Sequence, residues 1–108
     1  MRWPLSRIAV AERSMEPALR DGDWLIVWRG FRPTRPLRVR PGQVVIAQHP
    51  DREGFLLVKR AIRADQGGWW LESDNHGVPA VDSRRFGPVR PDQIEGRVLV
   101  RYWPPRPG

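Results

Sequence analysis

Two side chains in this sequence could together perform nucleophilic catalysis, the amine of Lys59 and the hydroxyl of Ser14. Lys59 stands in the stretch GFLLVKRAIR and is the only lysine, since the other eighteen basic residues are arginines. A guanidinium stays protonated in proteins, whereas an ammonium in a dry environment can lose its proton and act as a base. Strand alternation places Lys59 on one face with Phe55, Leu57 and Ala61. On this strand alone an ordinary surface lysine is the first interpretation, and a buried, neutral lysine that acts as a base is the alternative that the apolar neighbours permit.

Ser14 precedes a segment, MEPALRDGD, whose composition indicates one short helical turn. A serine at a helix N-terminus caps backbone N–H groups, and the same place can hold an oxyanion because N–H donors and the positive end of the dipole gather there. A capping serine and a nucleophile would thus occupy the same position. Because a serine hydroxyl becomes nucleophilic when a base takes its proton, Ser14 and Lys59 would form a Ser-Lys dyad.

The remaining residue types argue against several other kinds of site. The chain has no cysteine, and its two histidines, His49 and His76, lie far apart in turn-like sequences. We therefore expect no disulfide, no metal, no cofactor and no histidine-based triad. The formal charge of +7 is spread along the chain instead of forming one basic tract, so nucleic acid is not expected as a partner.

Short apolar stretches with a period of two predict an all-β, mainly antiparallel fold with one short helical turn after Ser14. We expect residues 1–108 to form a single domain with a surface loop at about 29–41 and a frayed tail at 104–108. The candidate strands cover residues 7–10, 24–28, 43–48, 55–62, 69–72 and 94–103.

Five sequence boxes, SMEPALRDGDWLIV, VKR, DN, DSRRFGPV and IEGRVLVRYWP, occur in an order and spacing that resemble the catalytic core of the signal peptidase I family. The resemblance extends from Val10 to Trp103. It implies a coiled, partly open barrel-like sheet and a serine endopeptidase. It also implies that Ser14 is the nucleophile, that Lys59 is its general base and that the Ser14 backbone N–H contributes to the oxyanion hole.

The same resemblance assigns supporting roles to residues near the dyad. Asp82 and Arg84 are expected to pair and to brace the sheet, although an ordinary turn with solvated charges is the alternative. Asp74 and Asn75 belong to a segment that resembles the Gly-Asp-Asn turn of the family, with Ser73 in place of the glycine. The sequence around Ser73 contains no pattern that would supply it with a catalytic base, so no catalytic role is predicted for this serine.

An extended peptide is expected to bind as an added strand near the dyad, so that main-chain hydrogen bonds supply affinity and alternate side chains enter pockets. Four apolar residues are expected near these pockets, and they favour small apolar substrate side chains: Ile8, Val10, Met15 and Leu57. For Val10 and Leu57, simple packing in the core is the alternative. The expected partner is a protein or peptide precursor with an amino-terminal propeptide.

The chain departs from the family pattern in three ways that bear on which subgroup of the family it resembles. The chain shows no membrane anchor, because no apolar run approaches the ~18 residues of a membrane span. No large insertion separates Lys59 from Asp74, and Glu12 stands two positions before Ser14, where its carboxylate would repel an oxyanion unless it turns outward. A compact, unanchored core resembles the maturation proteases for nickel-type superoxide dismutase. These features predict a cytoplasmic enzyme, unless a longer natural amino terminus has been removed.

Two other functional classes remain open from the sequence. One is an autoproteolytic repressor-type domain with the same dyad, although the thirteen residues before Ser14 leave little room for a cleavable linker or a DNA-binding module. The other is a non-enzymatic basic β module that binds nucleic acid or membrane through arginine and tryptophan. A steep salt dependence of binding to single-stranded DNA would favour that module.

Overall fold

The computed structural model describes residues 4–11, 13–30, 37–79 and 81–105 and forms one open, antiparallel sheet. The all-β prediction is confirmed, and each of the six predicted strands occurs within a few residues of its expected bounds. The strands lie in the order β1-β2-β6-β3-β4-β5, with every neighbouring pair antiparallel. The elements are β1 (Leu5–Ala9), β2 (Trp24–Trp28), β3 (Val44–Gln48), β4 (Leu56–Asp65), β5 (Gly68–Glu72), helix α1 (Ser83–Phe86), a 3-10 turn (Pro91–Gln93) and β6 (Ile94–Trp103).

Both faces of the central part of the sheet are covered by apolar side chains. Strand β3 shows this most clearly, because Val45, Ile46 and Ala47 are all fully buried although successive residues point to opposite faces. Ile46 belongs to a cluster with Val10, and Val45 and Ala47 belong to a second cluster with Ala61. The sheet therefore has two apolar cores, one on each face of β3.

The outer edge of β5 is covered by the segment that contains α1. Trp69 and Val89 exchange two backbone hydrogen bonds of 2.9 Å, and the Leu71 N–H donates to the Ser83 hydroxyl. Gly68 permits this approach, because a Cβ atom there would stand 2.0 Å from the Val89 carbonyl oxygen. Helix α1 is thus fixed against the strand that follows β4.

The predicted helical turn after Ser14 is a series of turns over residues 14–18 with one bond of α-helical spacing, from the Leu19 N–H to the Met15 carbonyl. The chain then reverses at Gly22, whose φ of 89° is readily adopted only by glycine. The regular α-helix of the described residues lies elsewhere, at Ser83–Phe86.

Candidate active site

Ser14 lies on a loop between β1 and β2 whose two ends are clasped together. The Val10 N–H donates to the Asp23 carbonyl at 2.7 Å, and the Gly22 N–H donates to the Val10 carbonyl at 2.8 Å. Ser14 itself is only 6% exposed. A residue on a loop closed in this way has a restricted position, which a nucleophile requires.

Lys59 lies in the middle of β4, opposite Val45 of β3, and is 1% exposed. Leu57 and Ala61, two residues to either side, are buried as well, whereas Leu56 and Ile62 are exposed. The predicted alternation is therefore confirmed within β4, whereas Phe55, which was predicted on the same face, precedes the strand and is exposed. Lys59 is the largest fully buried side chain among the described residues. Removal from water penalises an ammonium far more than a neutral amine, so this position suits a base.

The segment Ser73–Asn75 connects the Ser14 loop to β4. The Asn75 N–H donates to the Ser14 carbonyl at 2.8 Å, and the Asn75 side-chain amide donates to the Arg13 carbonyl at 2.9 Å. Asp74 accepts two hydrogen bonds from the Arg60 guanidinium, at 2.9 and 2.6 Å. Because Arg60 follows Lys59 directly, these bonds hold the Ser14 loop beside the part of β4 that carries the lysine.

The bond between Arg60 and Asp74 was not anticipated from the sequence, which suggested only that Asp74 supports the site. Its fork geometry, with one guanidinium nitrogen to each carboxylate oxygen, is the strongest common arrangement of an ion pair. The hydrogen bond to Asp74 raises the pKa of Arg60 above its ordinary value. A third nitrogen of Arg60 donates to the Gly42 carbonyl at 2.8 Å, which extends the contact to the turn before β3.

Asp82 and Arg84 are paired in the structure, and the Asp82 side chain is completely buried. Asp82 accepts from the Ser73 N–H at 2.8 Å and from the Arg84 N–H at 3.0 Å, where it caps helix α1. Burial acts to raise the pKa of Asp82, but the hydrogen bonds from Arg84 and Ser73 and the Arg84 charge outweigh it, so that the pKa lies below its ordinary value. The Asp82 carboxylate, ionised at neutral pH, thus holds β5 to α1.

A cleft of about 510 Å³ opens beside Ser14, and its walls are largely apolar. Three of the four residues predicted to bind substrate line it, namely Ile8, Val10 and Met15. Val10 and Met15 are also part of the first apolar core. Val10 therefore both lines the cleft and packs in the core, the two roles considered for it from the sequence.

Leu57, the fourth predicted substrate-binding residue, lies outside the described lining of this cleft. It is buried on the face of β4 that carries Lys59, whereas Leu56 and Val58 contribute to the cleft from the other face. The alternation of β4 could have suggested Leu56 and Val58, but the sequence did not show on which face the Ser14 loop packs. Glu12, considered above for its effect on an oxyanion, lies outside the described residues.

The part of the chain that the structure describes contains no group of three metal-binding side chains. His49 accepts the Asp51 N–H through Nδ1 at 3.0 Å, and its ring contacts Phe55 and Phe86. His76 is exposed in a turn. Neither histidine is among the residues that line the cleft beside Ser14.

Comparison with known proteins supports a peptidase. A family model described as Peptidase S24-like matches residues 6–99. The chain is 30% identical to the mitochondrial inner membrane protease subunit 1 of Xenopus tropicalis, over 84% of this chain and 65% of the relative. It is 22% identical to the mitochondrial inner membrane protease subunit 2 of Saccharomyces cerevisiae, over 85% of this chain and 64% of the relative. The chain thus spans less than two thirds of the length of these two relatives.

These relatives contradict the cytoplasmic location predicted from the sequence, because their names place them at a mitochondrial inner membrane. The prediction relied on the lack of a long apolar run, and a missing run carries no information about where a catalytic domain works. None of the helices formed by the described residues is long and apolar enough to cross a membrane.

Proposed function

Because the chain belongs to the Peptidase S24-like family, we propose that it is a serine endopeptidase in which Ser14 is the nucleophile and Lys59 is the general base. The observation that carries this proposal is the burial of the only lysine of the chain, which is 1% exposed beside the segment that also binds the Ser14 backbone. An arginine could not serve there, because it cannot release its proton.

In the proposed reaction, Lys59 takes the proton of the Ser14 hydroxyl while Oγ bonds to the scissile carbonyl carbon. The carbonyl π electrons move to oxygen, and the Ser14 backbone N–H donates to the resulting oxyanion. When the carbonyl re-forms, the C–N bond breaks and the Lys59 ammonium gives its proton to the leaving amine. Water then attacks the acyl ester, and its proton passes through Lys59 back to Ser14 Oγ as the carboxylic acid product leaves.

The cleft beside Ser14 suits an extended apolar segment of substrate. Ile8 and Val10 line one side, and Leu56 and Val58 line another. Strand β1 is the first strand of the sheet, so its outer edge is unpaired with any other described strand. A substrate strand could add to that edge through main-chain hydrogen bonds and place alternate side chains in the cleft.

We propose as substrate a precursor protein with an amino-terminal propeptide or signal-like segment, such as the precursor of a nickel-type superoxide dismutase. The support for this class is the apolar cleft together with the relatives, which are named as inner membrane proteases. The names of the relatives favour peptidase activity at a membrane surface over activity in the cytoplasm.

The proposed substrate preference is tested with a peptide library incubated with the protein, with the cleaved bonds identified by mass spectrometry. We expect small apolar residues immediately before the scissile bond, because the cleft walls are apolar and close to Ser14. Proline at a strand-pairing position should block cleavage, since proline lacks the N–H that the added strand must donate. Uniform tolerance of large or charged residues before the bond would contradict the apolar pocket.

The pH dependence tests the role of the lysine in a second way. Because the base must be neutral, activity should rise with pH as Lys59 loses its proton, and burial should bring this rise closer to neutrality than for an exposed lysine. Metal chelators should leave the rate unchanged. The measurement is kcat/KM on one cleaved peptide across pH, with and without chelator; activity that is lost in chelator and restored by added metal would exclude the dyad mechanism.

A further inference from the structure

Ser73 carries a buried hydroxyl that has no hydrogen-bond partner among the described residues. The residue is 2% exposed, so bulk water does not solvate this oxygen. An unsatisfied buried polar group costs about 1–3 kcal/mol, and such groups in a folded protein call for an explanation. The sequence pattern suggested no role for Ser73 beyond its place in a turn where the family has a glycine.

The register of the sheet places Ser73 opposite Lys59. Arg60 of β4 pairs with Glu72 of β5, so one further step along the two antiparallel strands aligns Lys59 with Ser73. Residues directly opposite each other point to the same face of a sheet, with Cβ atoms about 4.5–5.5 Å apart. The Ser73 side chain therefore belongs to the buried face on which Lys59 lies.

Backbone hydrogen bonds agree with this alignment. The Ala61 N–H donates to the carbonyl of Gln43, the residue before β3. Residues two apart on a strand direct their N–H and C=O groups to the same side, so the backbone groups of Lys59 also point toward β3. On the β5 side, the Ser73 N–H turns away from β4 and donates to Asp82. Lys59 and Ser73 thus form a pair without mutual backbone bonds, which is the kind of pair in which side chains come closest.

We propose that Ser73 is a positioning residue for Lys59, whose hydroxyl oxygen accepts a hydrogen bond from the lysine once it holds the proton of Ser14. A lysine ammonium has three N–H donors and no acceptor, so each proton transfer creates a need for acceptors inside an apolar site. In enzymes that pair a nucleophile with a general base, a third group orients the base, and Ser73 supplies that group here. This inference rests on the proposed function of Ser14 and Lys59.

The charged groups around this pair are fixed by partners of their own. Asp82 lies next to Ser73 through the backbone bond and is neutralised by Arg84. Arg60 and Asp74 pair with each other beside Lys59. On the β3 side, the nearest cross-strand neighbour of Lys59 is the apolar Val45. Removing the Ser73 hydroxyl would therefore change one neutral contact of the lysine and leave the surrounding charges in place.

The test compares Ser73→Ala with a control, Ser83→Ala, which removes another buried hydroxyl with a known structural partner, the Leu71 N–H. For Ser73→Ala we expect kcat on a cleaved library peptide to fall about 10-fold, the effect of losing one hydrogen bond to a charged group, with KM unchanged. The acid limb of the pH–rate profile should move to lower pH, because the protonated lysine has lost a stabilising acceptor. Ser83→Ala should lower thermal stability without moving that limb.

A second readout is independent of catalysis. Because Lys59 is the only lysine, lysine labelled with ¹³C at the ε position gives a single side-chain signal whose pH titration is followed by NMR. Its midpoint should move to lower pH in Ser73→Ala and in Ser73→Gly, and should return toward the wild-type midpoint in Ser73→Thr, which restores a hydroxyl.

An unchanged titration midpoint in the hydroxyl-free variants would overturn the role of Ser73, even if their stability falls. If Ser73→Ala does not fold, Ser73→Gly and Ser73→Thr decide the question by the same midpoint. Failure of the proposed function has a different signature, because Ser14→Ala would then cleave peptides as the wild type does, or the wild type would cleave none, while the lysine titration would still report on Ser73.

Discussion

Replacing Lys59 by methionine is expected to abolish peptide cleavage, with kcat/KM reduced by at least about 10³-fold, because the proton of Ser14 then has no acceptor. Methionine has a similar length, and the site is dry, since Lys59 is 1% exposed. Methionine is also apolar, so it brings no charge into this site. We therefore expect Lys59→Met to fold, with a cooperative thermal unfolding transition.

Lys59→Arg should be equally inactive, because a guanidinium keeps its charge and cannot accept the serine proton. From the sequence alone this variant would be expected to fold normally. The burial of Lys59 changes that expectation, because arginine would place an obligatory cation inside an apolar region. We expect Lys59→Arg to be less stable than Lys59→Met, so the methionine variant is the cleaner test of the base.

Ser14→Ala should lose cleavage to the same degree and remain folded. A suitable control is Ser6→Ala, which removes the hydroxyl that accepts from the Arg29 guanidinium at 2.7 Å, in the first strand of the sheet. Turnover of a library peptide is measured beside circular dichroism and thermal unfolding for all variants. Near-normal turnover by folded Lys59→Met or Ser14→Ala would disprove the dyad.

Replacing Asp82 by alanine is expected to destabilise the protein by about 3 kcal/mol, the sum of a lost helix cap and an unsatisfied buried N–H group. The cap is that of helix α1, and the N–H group is that of Ser73. The control is Asp92→Ala, because Asp92 pairs with Arg90 at 3.1 Å but both side chains are 71% exposed. An exposed pair contributes little, so Asp92→Ala should change the free energy of unfolding by less than about 1 kcal/mol.

The contribution of Asp82 should also depend on pH. Its pKa in the folded protein is depressed, so its stabilising effect is complete above the carboxyl pKa of the unfolded chain, about 3.9, and is lost as the pH falls through the lower folded value. Urea unfolding of the wild type and of Asp82→Ala should therefore differ strongly at neutral pH and converge in acid. Equal stability of Asp82→Ala and Asp92→Ala at neutral pH would contradict a structural role for the buried carboxylate.

The strand positions and the residue types of the candidate site could be predicted from the sequence. Strand positions followed from the alternation of apolar residues, because in a sheet that alternation reflects which side chains are buried, and burial dominates folding energy. The same alternation placed Lys59 on a face with apolar neighbours. Lys59 was a candidate because it is the only lysine and an arginine cannot act as a base. Ser14 was a candidate because it precedes a helical turn and stands in a box that resembles the signal peptidase I family.

Which groups meet depends on how distant segments pack, and this could not be predicted from the sequence. Strand β6, last in the chain, lies between β2 and β3, and the Ser14 loop packs on the face of β4 that carries Val58. That packing puts Leu56 and Val58, instead of Leu57, along the cleft. The bond from Arg60 to Asp74 and the alignment of Ser73 with Lys59 depend on the register of β4 against β5. Register is set by hydrogen bonds and packing between distant segments. Every register that keeps the apolar face of a strand inward is compatible with the same alternation of residues, so the sequence pattern does not distinguish among these registers.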